Sequence, residues 1–106
     1  MVKATIRAGV CGFTTVVNAQ SEDSQNVSFE IESDCETIRR LAADLPVVDA
    51  YSEIGSGDEG AVMRTAHSIL KGCCAGCVVP PAIFKGMQVA ACVALPKDIH
   101  LTMQKE

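Results

Sequence analysis

A chain of 106 residues fits one domain, 1–106, and is too short for a multidomain enzyme. Hydrophobic residues make up 48% and charged residues 21%, which excludes disorder. With no Trp, three Phe, and 13 Ala and 12 Val by count, the core must be built from small, closely packed side chains.

Val2, Ala4, Ile6 and Ala8 alternate with Lys3, Thr5 and Arg7, the period-two pattern of a half-buried strand. Gly9 and Gly12 bracket Cys11 in a tight bend. Alternation resumes at Phe13, Thr15, Val17 and Ala19, so a second strand is expected over Phe13–Gln20. The polar stretch Ser21–Asn26 reads as a hairpin loop, and Val27, Phe29 and Ile31 alternate with Ser28, Glu30 and Glu32 as a third strand. Ser33 with Glu36 three residues on matches a capping box. Behind it Ile38, Leu41, Ala42 and Leu45 fall at helical spacing, and Pro46 stops the helix.

Val47–Gly60 has no clear period, and Gly55, Gly57 and Gly60 predict a mobile loop. A second helix is expected over Glu59–Lys71, with Val62, Ala66, Ile69 and Leu70 inward and Gly72 as its cap. A third opens at Pro80-Pro81, where a fixed φ and a missing N–H suit a first turn. It runs to Leu95, apolar nearly all round and therefore central, until Pro96 ends it. Ile99, Leu101 and Met103 alternate with His100, Thr102 and Gln104 as a last strand. The expected fold is α+β: a four-stranded antiparallel sheet, β-β-β-α-α-α-β, with helices on one face.

The net charge of −4 conceals an acidic middle, Gln20–Glu59, with eleven acidic residues against Arg39 and Arg40. A nucleic-acid surface needs clustered Lys and Arg with interleaved aromatics, so nucleic acid is not an expected partner. The N-terminus lacks the apolar run of a signal peptide, and Gly86–Leu95 is far short of a membrane span. A cytoplasmic protein is expected, with its six cysteines held as reduced thiols or metal ligands.

Those cysteines fall into three segments and an outlier. Cys11 lies in the bend after the first strand, Cys35 in the first turn of the first helix, and Cys73, Cys74 and Cys77 between the last two helices. Strand ends and helix starts meet at one edge of a two-layer domain, so the three segments are expected to converge there. Helix N-termini near Cys35 and Cys77, with Lys71 and Lys85 flanking the loop, favour thiolate character. Cys74-Ala75-Gly76-Cys77 is a CxxC, a spacing that turns two sulfurs toward one metal. Cys11, Cys35, Cys77 and either Cys73 or Cys74 would complete a Cys₄ set for zinc or an iron–sulfur cluster. Two other readings stay open. Reduced cysteines also serve as small hydrophobes in an interaction or scaffold domain, including one that forms a homo-oligomer, and a CxxC also serves dithiol redox chemistry. Cys92, inside the apolar third helix, is read as core packing.

No hydrolytic triad can be argued from His67 or His100, since neither has a Ser or Cys partner by spacing. The series Gly55–Gly60 lacks the Lys of a phosphate-binding loop. No reaction is assigned.

Ala8-Gly9-Val10-Cys11-Gly12-Phe13-Thr14, Cys77-Val78-Val79-Pro80-Pro81-Ala82-Ile83-Phe84-Lys85 and Val89-Ala90-Ala91 with Ala94-Leu95-Pro96-Lys97-Asp98 resemble a family of small uncharacterised proteins of anaerobic bacteria and archaea. The resemblance spans nearly the whole chain and implies an anaerobic, thiol-preserving setting with no assigned activity. Relatives carry Cys-Pro-Val-Pro where this chain has Cys77-Val78-Val79-Pro80, which leaves the loop here less rigid. The resemblance adds weight to Cys11, Cys35 and Cys77 and does not choose zinc over iron–sulfur.

Overall fold

The computed structural model describes residues 1–106. Strand β1 (Val2–Arg7) pairs antiparallel with β2 (Thr14–Gln20), and β2 with β3 (Asn26–Ser33). Register follows the alternation: Ala4 lies opposite Val17 and Val17 opposite Ile31. The apolar residues of all three strands therefore share one face. The opposite face carries Lys3 and Arg7 on β1, and Glu30 and Glu32 on β3.

Asp23 shapes the β2–β3 loop. Its Oδ1 accepts from the N–H groups of Gln25 and Asn26 at 3.0 and 2.8 Å, an Asx-type turn. Hydrogen bonds from the Asn26 backbone, its side chain and Gln25 lower the Asp23 carboxyl to about 2.

Helix α1 (Glu36–Asp44) buries Ile38 and Leu41 against β3. It ends as Pro46 demands: Leu45 is already extended, at ψ 121°. The capping box does not form. Cys35 occupies the N-cap without a side-chain bond, and the Ser33 hydroxyl is taken by the Cys35 N–H at 3.0 Å and by Thr15 Oγ1 at 2.7 Å.

The fold class is as expected, α+β with a four-stranded antiparallel sheet in the order β1-β2-β3-β4, but the fourth strand is a different segment. It is the two-residue β4 (Val48–Asp49), paired with β3 at Asn26 and Val27. Ile99–Gln104 is exposed, without regular structure and outside the sheet. The element order is thus β-β-β-α-β-α-α-α. Val47–Gly60 is not an open loop either. Asp49 caps helix α2 (Ala50–Ser56) by accepting from the Tyr51 and Ser52 N–H groups, and a 3₁₀ turn over Gly57–Glu59 follows.

Helix α3 (Ala61–Ile69) begins against a buried carboxylate. Glu53, reaching up from α2, is 6% exposed. Its Oε2 accepts from the Ala61 N–H at 2.9 Å and its Oε1 from the Val62 N–H at 2.7 Å. Two otherwise unpaired donors of the helix N-terminus are thereby satisfied, with a negative charge at the positive end of the dipole. Gly60 is required beside it, because a Cβ there would stand 2.7 Å from Glu53 Oε2.

Helix α4 (Val79–Ala90) lies across β1 and β2 with Val79, Ile83, Gly86 and Met87 buried, and it touches α3. It stops at Ala90, short of the expected Leu95. The N–H of Cys92 bonds the Val89 carbonyl at 3.0 Å and that of Val93 the Gln88 carbonyl at 2.9 Å. This pair of bonds is the Schellman closure, with Cys92 in the left-handed conformation at φ 63°. Cys92 is consequently exposed, not a core thiol, and accepts from Ser24 Oγ at 3.6 Å. The apolar stretch Gly72–Ala90 is divided at Cys77–Val78, and the 12 residues of α4 span about 18 Å, short of a bilayer core of ~30 Å.

Glu53→Ala is expected to lower the unfolding free energy by ~2–3 kcal/mol, since it strips a charged partner from two donors. Gly60→Ala should also destabilise, and that penalty should vanish in the Glu53→Ala background, as a double-mutant cycle in urea would show. Cys92→Gly should raise stability by about 1 kcal/mol by relieving the left-handed cap. A neutral result there would contradict the strain.

Candidate thiol site

The sheet ends where β1 leaves for β2 and β3 leaves for α1, and both exits carry a cysteine. Cys11 closes a 3₁₀ turn over Gly9–Cys11, with Gly9 at φ 82° and Gly12 at φ 71°. Both angles lie in the left-handed region that glycine enters without cost. The turn is clasped by Ala8 N–H donating to the Phe13 carbonyl at 3.1 Å. Next to it, the Asp34 N–H donates to the Thr14 carbonyl at 3.2 Å and the Thr14 N–H to Asp34 Oδ2 at 3.4 Å. This reciprocal pair extends the β2–β3 ladder past Ser33 and holds the Cys11 turn beside Cys35. Cys35 itself is half-buried against the core.

The third segment arrives from the helical layer. Gly86 of α4 packs over Ala19, with an ideal Cβ 3.9 Å from the Ala19 Cβ, and Cys92 reaches Ser24 in the β2–β3 loop. The C-terminus of α4 therefore lies at the hairpin end of the sheet, and its N-terminus at the end bearing Cys11 and Cys35. A 3₁₀ turn over Gly72–Gly76 leads into it, with the Cys74 N–H bonded to the Lys71 carbonyl at 3.2 Å and the Cys77 N–H to the Cys74 carbonyl at 3.1 Å. Pro80 and Pro81 have no N–H, so Val79 supplies the free donor of this first turn.

The Cys77 thiol is pushed above its ordinary pKa, first by burial. The Val79 N–H opposes the rise, and repulsion from Cys35, Cys74 and Cys11 adds to it. Cys35, Cys74 and Cys11 are thus the thiols near enough to Cys77 to bear on it. Cys73 and Cys74 are both exposed, and Cys74 but not Cys73 acts on the Cys77 thiol. Cys92 sits at the far end. All six cysteines are free thiols, and no three His, Cys, Asp or Glu side chains are drawn together closely enough to hold a metal ion.

Val10, Phe13 and Val78, all exposed, border the thiols in sequence and give that end apolar projections. His67 is exposed on α3 and His100 on the tail after α4. Two shallow clefts, one between β2 and β3 at Asn18 and Glu30 and one at the hairpin around Asp23 and Asn26, contain no cysteine. Sequence reading missed Asp34 and Ser33–Thr15 as the clasp that joins two of the segments. Their pairing depends on register, which short polar residues do not advertise.

An α+β domain with cysteine-bearing segments at one end of its sheet is the class these features define. The chain belongs to DUF6951, a family of unknown function, whose model matches residues 2–103. A search of the curated proteins found no match, and neither did a search of the solved structures.

Because the fold favours the neutral Cys77 thiol, its contribution to stability is fully present below the ordinary thiol pKa. It is lost as pH rises through the raised one. Wild-type stability is therefore expected to fall more steeply above about pH 9 than that of Cys77→Ala. Residue-resolved alkylation should find Cys77 slower than Cys73 and Cys74 throughout that range; equal rates would contradict the shift.

Proposed function

We propose that the protein is a small cytosolic module that holds one zinc ion or one iron–sulfur centre through Cys11, Cys35, Cys74 and Cys77. The observation that carries this reading is the convergence of thiols from three separate segments on half-buried Cys77. Four ionised sulfurs so placed repel one another, and a cation offsets that repulsion while displacing the thiol protons. Soft sulfur ligands select zinc or iron–sulfur over hard cations. The free Val79 N–H, two residues after Cys77, is the kind of donor that tunes such a centre. Closure onto a metal requires side-chain rotation of the exposed thiols Cys11 and Cys74.

A second reading is favoured by a specific observation: the thiols are free and not drawn into a coordination shell. On that reading the protein is an interaction domain with unligated cysteines. Dithiol redox chemistry is the least supported. A reactive CxxC lowers the pKa of its first thiol at a helix N-terminus, whereas here the helix follows the second, Cys77, whose pKa is raised.

Protein purified without oxygen is expected to carry one bound centre per chain, by elemental analysis and by its visible spectrum or by that of a cobalt-substituted form. Cys35→Ser and Cys77→Ser should lose it, and Cys73→Ser and Cys92→Ser should keep it. Metal-free protein with six titratable thiols and a chelator-insensitive unfolding midpoint would sink the reading in favour of the interaction domain.

A further inference from the structure

The segment after α4 has the alternation of a strand and no place in the sheet. Ile99, Leu101 and Met103 alternate with His100, Thr102 and Gln104, yet they are 69%, 67% and 84% exposed. Beyond Lys97, whose N–H bonds Leu95, no backbone hydrogen bond forms. The family match nonetheless runs through this segment to residue 103. At the same time β1 is an edge strand, paired only with β2, and its outer row of N–H and C=O groups is open. The two are matched in length, since both Val2–Arg7 and Ile99–Gln104 hold six residues.

Charge chooses the direction of their pairing. An antiparallel alignment that sets Leu101 opposite Ala4 also sets Ile99 opposite Ile6, Met103 opposite Val2 and Asp98 opposite Arg7. The apolar residues then extend the core face and one opposite-charge pair closes the end. The parallel alignment that keeps the same apolar match places His100 beside Lys3 and leaves Arg7 opposite Gln104. A chain's own tail does not reach the antiparallel position readily. It leaves α4 near Ser24, at the end where β1 begins, and would have to travel the length of β1 before turning back. The link Val93–Asp98 spans at most about 20 Å when fully stretched, the same as the strand itself.

We infer that Ile99–Gln104 adds as an antiparallel strand to the free β1 edge of a second copy, in a two-fold dimer in which each copy lends its tail to the other. The interface is self-complementary, as a two-fold requires, and it removes the two exposed features from water together.

Analytical ultracentrifugation of the full-length chain across a dilution series is the test. The wild-type protein is expected to be a dimer, and Leu101→Asp a monomer with unchanged circular dichroism. Arg7→Asp and Asp98→Arg should each raise the dissociation constant severalfold, and the double variant should restore it. A wild-type monomer at every concentration would overturn the inference. So would a dimer that survives Leu101→Asp, or a monomer whose residue 99–104 amides resist hydrogen exchange, which would mean pairing within one chain.

Discussion

One carboxylate sets the position of one of the four helices. Glu53 leaves the end of one short helix and accepts both leading N–H groups of the next, from a site that is nearly closed to water. No lysine, arginine or histidine pairs with it; the partners are two amides and the field of the helix they begin. Gly60 is the space the carboxylate needs. Because α3 touches both α1 and α4, the angle at which it starts governs where Val62 and Ala66 meet the core. It also governs where the chain emerges at Leu70 to form the cysteine loop.

The thiol end follows from that placement and from the clasp at Thr14 and Asp34. Three segments far apart in sequence reach one place because β1 and β3 run the same way in the sheet, while α4 crosses it with its N-terminus at their exits. Cys77 is half-buried at the margin of a small-residue core. Burial alone would make Cys77 an inert hydrophobe, but three more sulfurs add repulsion to burial. A single amide, from Val79, opposes both. The proposed ligand role rests on this: a cation bound at Cys77 would offset the repulsion that its neighbours add.

Much of this was legible in the residues. Three strands and their shared face follow from period-two alternation, and the loop Ser21–Asn26 from its polar run. Topology puts Cys11, Cys35 and the start of α4 at one sheet end, yet no three of these side chains come close enough to hold a metal ion. What escaped was decided by interactions that single residues do not signal. Val48–Asp49 is too short for any period, and its place is set by Ala50 N–H donating to the Gln25 carbonyl at 2.8 Å, with Asp49 also bonded to the Gln25 side chain at 2.7 Å. The glycines of Gly55–Gly60 read as mobility, whereas Gly60 is there to admit a carboxylate. Cys92 took the place where glycine usually announces a helix end, so α4 was read one turn too long and its cysteine as buried. Ile99–Met103 has a sound strand pattern and no strand beside it, because the pattern specifies a face and not a partner.

The claim on which the account of the thiols rests is that Cys11, Cys35, Cys74 and Cys77 act as one set. X-ray absorption at the metal edge, on protein loaded with one equivalent of zinc under anaerobic conditions, counts the ligands directly. Four sulfur neighbours at about 2.3 Å, falling to three sulfurs in Cys11→Ser and unchanged in Cys73→Ser, is the predicted result. A shell dominated by nitrogen or oxygen, or zinc that washes away while all thiols stay titratable, would contradict it.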